Sequence, residues 1–215
     1  MKDISIFNIF GKAWELFKEN LSDLITITFF YLILVAIIYA IDPSNDKVDS
    51  AFDLILSIIC GIAQMILTLG FYKSMLDTVD GDKPRIETLF NNRKPTLILH
   101  YILGSIIIGV GVLAGLIFFI IPGIFLAIRL QFYTYLLLEQ EECDCMKALS
   151  TSWAMTEGHV INLFTLGLLS FFIVIAGVIA FLIGIFAAIP ISIIMLALAF
   201  RILSFEMQGK LPLNQ

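Results

Sequence analysis

Charge is what this chain has least of. Lysine and arginine number 13 and aspartate and glutamate 18 among 215 residues, 14% in all, where soluble domains sit near about a quarter. The net charge of −5 and the scattered basic residues exclude a nucleic-acid binder, which needs a basic face. Three cysteines and two histidines are too few for a disulfide framework or a zinc cluster. Cys143-x-Cys145 with His159 lacks the second cysteine pair of the usual zinc spacings, so no metal and no other cofactor is expected. Also missing are a Ser-His-Asp set, a phosphate loop and two carboxylates on one helix face, which leaves enzyme activity without support. The start does not read as a signal peptide, because residues 1–20 are charged throughout and no small-residue cleavage site follows.

What remains is apolar: 60% of residues are hydrophobic and the mean hydropathy is +0.99. That composition predicts an all-α integral membrane protein, one polytopic domain over residues 1–215. Residues 4–21 read as an amphipathic helix, with Phe7, Phe10, Trp14, Phe17 and Leu21 on one side and Asn8, Lys12, Glu15 and Glu19 on the other. Such a helix lies in the headgroup plane or packs on the bundle floor. Apolar runs predict six spans, at residues 24–41, 54–72, 97–120, 123–138, 160–186 and 189–205. Asp42-Pro43-Ser44-Asn45 opens the first loop, and Tyr72-Lys73 anchors the end of the second span. Pro84 starts a short helix with Ile86, Leu89 and Phe90 on one face. Pro122-Gly123 makes the turn between spans three and four, and Pro190 falls in the first turn of span six. A helix over 144–157 carries Met146, Leu149 and Trp153 inward and ends on a left-handed cap at Gly158.

Loop charges orient the six spans. With the N-terminus inside, the inner loops hold Lys2, Lys12, Lys18, Lys73, Lys83, Arg85, Arg93, Lys94, Lys147 and Lys210, and the outer loops only Lys47. The positive-inside rule then places both termini in the cytoplasm. Short amphipathic helices at 4–21, 84–93 and 144–157 each precede an odd-numbered span. This unit of helix, span, turn and span occurs three times, the pattern of a repeat.

Pro122, Gly123, Phe125 and Arg129, followed by Ala148, Leu149, Ser152, Trp153, Thr156 and Gly158, resemble the signature of the YciC-like six-helix membrane proteins. These are related to the membrane domain fused to some glycerophosphodiester phosphodiesterases. Phe10 to Trp14 fits the family's opening. The resemblance implies a prokaryotic cell-membrane protein with no defined biochemical role. The catalytic domain is absent from this sequence, so no hydrolase activity carries over.

Arg129 is the sharpest candidate for a site. It lies seven residues past Pro122, roughly 10 Å down the helix, where a charge costs about 2.5–3.5 kcal/mol to insert. Its expected partners are Gln64, Gln131, free carbonyls near Pro122 or a lipid phosphate, which a guanidinium binds bidentately. The plainer reading is a structural clamp or an arginine snorkelling outward. Arg201 reads as an interfacial anchor paired with Glu206, and His100 as a hydrogen-bonded interfacial residue. Glu139, Glu141, Glu142 and Asp144 read as a solvated acidic loop. Gly111-x-x-x-Gly115 and the row Ala176, Ala180, Gly184, Ala188 suit close helix packing or a homo-oligomer contact. Three functions fit: a non-enzymatic protein engaging membrane lipids, a transporter or channel with a polar site at Gln64, Arg129 and Gln131, or a scaffold for a membrane-protein partner.

Overall fold

A computed structural model describes residues 6–43, 50–90, 95–139, 144–180 and 183–210. Among the described residues there are ten helices and no strand: α1 (Ile6–Glu19), α2 (Leu21–Ile41), α3 (Ala51–Asp80), α4 (Glu87–Phe90), α5 (Pro95–Phe118), α6 (Ile120–Leu130), α7 (Tyr133–Glu139), α8 (Cys145–Met155), α9 (Val160–Ile179) and α10 (Ile183–Lys210). Six helical stretches are long and apolar enough to cross a membrane, with α6 and α7 together making the fourth. Burial ranks them. Half of the most apolar stretch of α10 is buried inside the protein, against 6% for α5. Helix α10 is therefore the central post and α5 a peripheral one. Ile194, Met195, Ala197, Ala199 and Phe200 of α10 are fully buried, facing α3, α7 and α1.

The order short helix, span, span occurs three times, but the short helices differ. Helix α1 turns Ile9, Ala13, Leu16 and Phe17 into the bundle and leaves Phe7 and Trp14 exposed. Of the aromatic side, Phe7 and Trp14 thus stay outward while Phe17 packs inward. Ala13, with no exposed surface, lets the helix approach α10 closely, which bulky rings would prevent. Helix α4 is a single turn. Pro84 lies before it, and of the expected trio only Leu89 is buried, while Ile86 and Phe90 face outward. Helix α8 buries Cys145, Ala148, Leu149, Ser152 and Met155, so Met146 and Trp153 are not its inward residues. Asp144 caps it by accepting from the Met146 N–H at 2.9 Å. Gly158 has φ +81°, the left-handed conformation expected after its end.

Three span boundaries move. Helix α3 continues past Tyr72-Lys73 to Asp80, because its polar end is satisfied within the helix: Lys73 pairs with Asp77 at 2.5 Å. The turn between α5 and α6 falls at Phe119, in extended backbone (φ −156°, ψ 134°), not at Pro122-Gly123. Pro122 belongs to the first turn of α6, where a helix has no use for its missing N–H. Gly123 serves close packing instead: a Cβ on Gly115 would fall 2.8 Å from its Cα. Helix α9 ends at Ile179, short of residue 186, and Pro190 sits inside α10 rather than in its first turn. The α9–α10 crossing explains both, since Gly177 and Gly184 meet there backbone to backbone and α10 is already helical before Pro190.

Candidate functional site

The fourth span is broken at Gln131–Phe132, between α6 and α7. The break leaves the Arg129 carbonyl in need of a donor, and α8 supplies it. Ser152 Oγ donates to it at 2.9 Å, while Thr156 Oγ1, 3.3 Å away, has a nearer acceptor for its one proton in the Ser152 carbonyl at 2.9 Å. Both hydroxyls are fully buried, so neither could be left unmade cheaply. The motif residues Ala148, Ser152 and Thr156 are thus the α8 face that docks on the broken span.

The Arg129 side chain is 6% exposed. Its guanidinium carbon lies 4.3 Å from the Trp153 ring centroid and 5.6 Å from that of Phe125, and those two rings meet edge to face. Among the described residues it has neither ion pair nor hydrogen bond, and its Nε is sealed without a partner. Gln131 is also close to the break, and its amide nitrogen is buried without a partner too. Gln64 is exposed on α3, where its carbonyl accepts from Thr68. The structure therefore does not gather Gln64, Arg129 and Gln131 into one polar site.

Helices α9 and α10 run antiparallel, with Gly177 at Gly184, Ser192 Oγ 3.5 Å from the Ser170 carbonyl, and His159 Nε2 3.3 Å from Glu206. The fourth span keeps one register along α5 across the break, with Gly115 at Gly123 and Gly104 at Tyr133. Ile121, Ile124 and Phe125 of α6 share a groove of about 280 Å³ with Val160, Ile161 and Phe164 of α9. Arg129 sits beside the end of α8, where Ser152 and Thr156 lie against its carbonyl.

The second arginine has the opposite surroundings. Arg201 Nε donates to Asp80 Oδ1 at 2.6 Å, Nη2 to the other Asp80 oxygen and Nη1 to Glu139 Oε1. The fork joins the ends of α3, α7 and α10. The sequence-based pairing of Arg201 with Glu206 is thereby corrected: Glu206 faces His159. Glu139, read as part of a solvated loop, is a tertiary ligand of Arg201; Glu141, Glu142 and Cys143 lie outside the described residues. His100 is hydrogen-bonded as expected. Its Nδ1 is 2.7 Å from the Thr96 carbonyl, and the Tyr133 hydroxyl donates to the His100 carbonyl. Cys145 is buried, and no metal-holding group of His, Cys, Asp or Glu occurs among the described residues. Of the two small-residue rows, Gly115 and Gly184 make backbone contacts, while Gly111 faces open space.

Reading residues singly misses the Arg201 cluster, since its carboxylates come from 62 and 121 positions away. The legible signal was Glu139 and Asp80, each at the polar end of an apolar run. The fold defines a multi-pass α-helical membrane protein. No protein-family model, no curated protein and no solved structure matches the chain.

Proposed function

We propose that this is a non-enzymatic, multi-pass protein of a prokaryotic cell membrane, allied to the YciC-like proteins, that engages anionic lipid through Arg129. One observation carries the reading: a guanidinium that is 6% exposed, packed on Trp153, and without a carboxylate partner among the described residues. A fixed cation in apolar surroundings is costly unless paired. A phosphate oxygen from a headgroup satisfies it with charge-assisted hydrogen bonds. The same loop charges that orient the chain put both termini in the cytoplasm, and α8 with Arg129 then faces the cytoplasmic leaflet, where anionic lipids attract basic residues. The transport reading is weakened because Gln64 is exposed while Arg129 is buried against Trp153.

Native mass spectrometry of protein gently extracted from its own membrane tests this. The wild-type chain is expected to retain anionic phospholipid, and Arg129→Ala to lose it while keeping its helical circular dichroism. Equal lipid retention by folded Arg129→Ala would end the proposal.

A further inference from the structure

Phe125 belongs to two surroundings at once. Its ring lies 5.6 Å from the Arg129 guanidinium carbon, and it also lines the groove that α6 forms with the first turns of α9. The other groove residues, Ile121, Ile124, Val160, Ile161 and Phe164, are all apolar, and Ile161 is 80% exposed at its rim. An unpaired cation and an open apolar trough thus share a wall. Their separation is about the width of one aromatic ring, which is also the scale on which a lipid's phosphate is tied to the start of its acyl chains.

We infer that the two features form a single site for an anionic phospholipid, with the phosphate on Arg129 beside Trp153 and one long acyl chain laid in the α6–α9 groove. The inference rests on the proposed lipid role of Arg129 and adds the chain: the site reads an amphiphile, not a phosphate alone. The ligand enters sideways from the bilayer, because the groove opens on the outer surface of α6 and α9 and Ile161 at its edge is exposed.

Trp153 provides the probe. The chain has two tryptophans, so Trp14→Phe leaves Trp153 as the only emitter, 4.3 Å from Arg129. The protein in mixed nonionic-detergent micelles is titrated with phosphatidylglycerol brominated on its acyl chain, which quenches indole fluorescence only at short range. Saturable quenching at low lipid fraction is expected, competed by unbrominated long-chain phosphatidylglycerol. Long-chain diacylglycerol, which has no phosphate, should compete about tenfold less well, the scale of losing one charge-assisted contact. Ile161→Gln, at an exposed position, should weaken the anionic lipid about threefold without changing helix content.

The arms separate the possible failures. If short-chain phosphatidylglycerol or inorganic phosphate competes as well as the long-chain lipid, and Ile161→Gln has no effect, the groove carries no chain. The inference then falls, while Arg129 keeps its anion. If diacylglycerol competes equally and Arg129→Gln quenches like the parent, the lipid role of Arg129 falls as well. Should Arg129→Gln fail to fold, Arg129→Lys, which keeps the charge but not the stacked fork, together with the headgroup comparison in the parent protein, decides the same question.

Discussion

Arg129 and Arg201 are the two arginines carried by spanning helices, and the protein treats them in opposite ways. Arg201 is gripped by Asp80 and Glu139 and ties together the ends of α3, α7 and α10. Beside it lies the aromatic layer of Phe132, Tyr135 and Phe200, with Tyr135 and Phe200 stacked at 5.4 Å. Arg129 is the more buried of the two, yet its side chain rests on rings alone, against Phe125 of its own helix and Trp153 of α8. A charge whose partners are built in belongs to the architecture. A charge given aromatic walls and no counter-ion among the described residues is arranged for a guest.

The largest effect should come from the architectural arginine. Arg201→Met leaves Asp80 and Glu139 facing each other without their cation. The three side chains are partly exposed, 22% for Arg201 and 34% and 30% for its partners. Solvent screening therefore trims the loss to about 1–3 kcal/mol rather than the full cost of breaking a buried pair. Thermal unfolding in detergent should show a lowered midpoint, partly restored when Asp80→Asn and Glu139→Gln are added. An unchanged midpoint would mean the fork does not hold the helix ends.

Next comes a contrast within α5. Gly115→Ala places a methyl 2.8 Å from the Gly123 backbone and should cost about 1–3 kcal/mol as overpacking. Gly111→Ala meets open space and should be neutral or stabilise by about 0.5–1 kcal/mol through helix propensity. If both variants behave alike, the hairpin is not held at the Gly115–Gly123 contact. Smaller still is the loss expected from Ser152→Ala, about 1 kcal/mol for the nearer donor to the Arg129 carbonyl. Adding Thr156→Val should cost more than the sum of the two single changes, because in Ser152→Ala the Thr156 hydroxyl, 3.3 Å away, can turn its proton to that carbonyl. Additive losses would show that it does not.

The class of the protein was legible because hydropathy is a sum over many residues. No single error in the sequence reading could hide six apolar runs, and the cap at Gly158 followed from local chemistry alone. What composition could not show was which side of each short helix packs. In α1 the aromatic side suited either the headgroup plane or the bundle floor, and the structure divides it: Phe7 and Trp14 stay outward, while Phe17 packs inward with Ile9, Ala13 and Leu16. The break at Gln131–Phe132 left no trace either. Neither residue is a helix breaker, and the interruption persists because Ser152, more than 20 positions away, satisfies the carbonyl it frees. Arg129 itself was visible as a charge in an apolar run, but its stacking on Trp153 was not, since Trp153 read as an inward residue of its own helix.

The smallest stability change is expected at the most buried charge, and it is the sharpest test of the comparison. Arg129→Met removes the stacking on Trp153, which is worth about 0.5–2 kcal/mol. It also removes the cost of holding an unpaired guanidinium in apolar surroundings, a term of similar or larger size. Methionine fills much of the same volume between Phe125 and Trp153, and the backbone carbonyl keeps the Ser152 hydroxyl as its donor, since that bond is to the main chain. The two terms oppose, so unfolding of Arg129→Met should lie within about 1 kcal/mol of the parent. Lipid retention, by contrast, should fall sharply. A midpoint lowered as far as that of Arg201→Met would make Arg129 a clamp, part of the frame like its counterpart. A midpoint unchanged or raised, with lipid lost, would mean that the protein keeps this arginine buried at no structural benefit to itself.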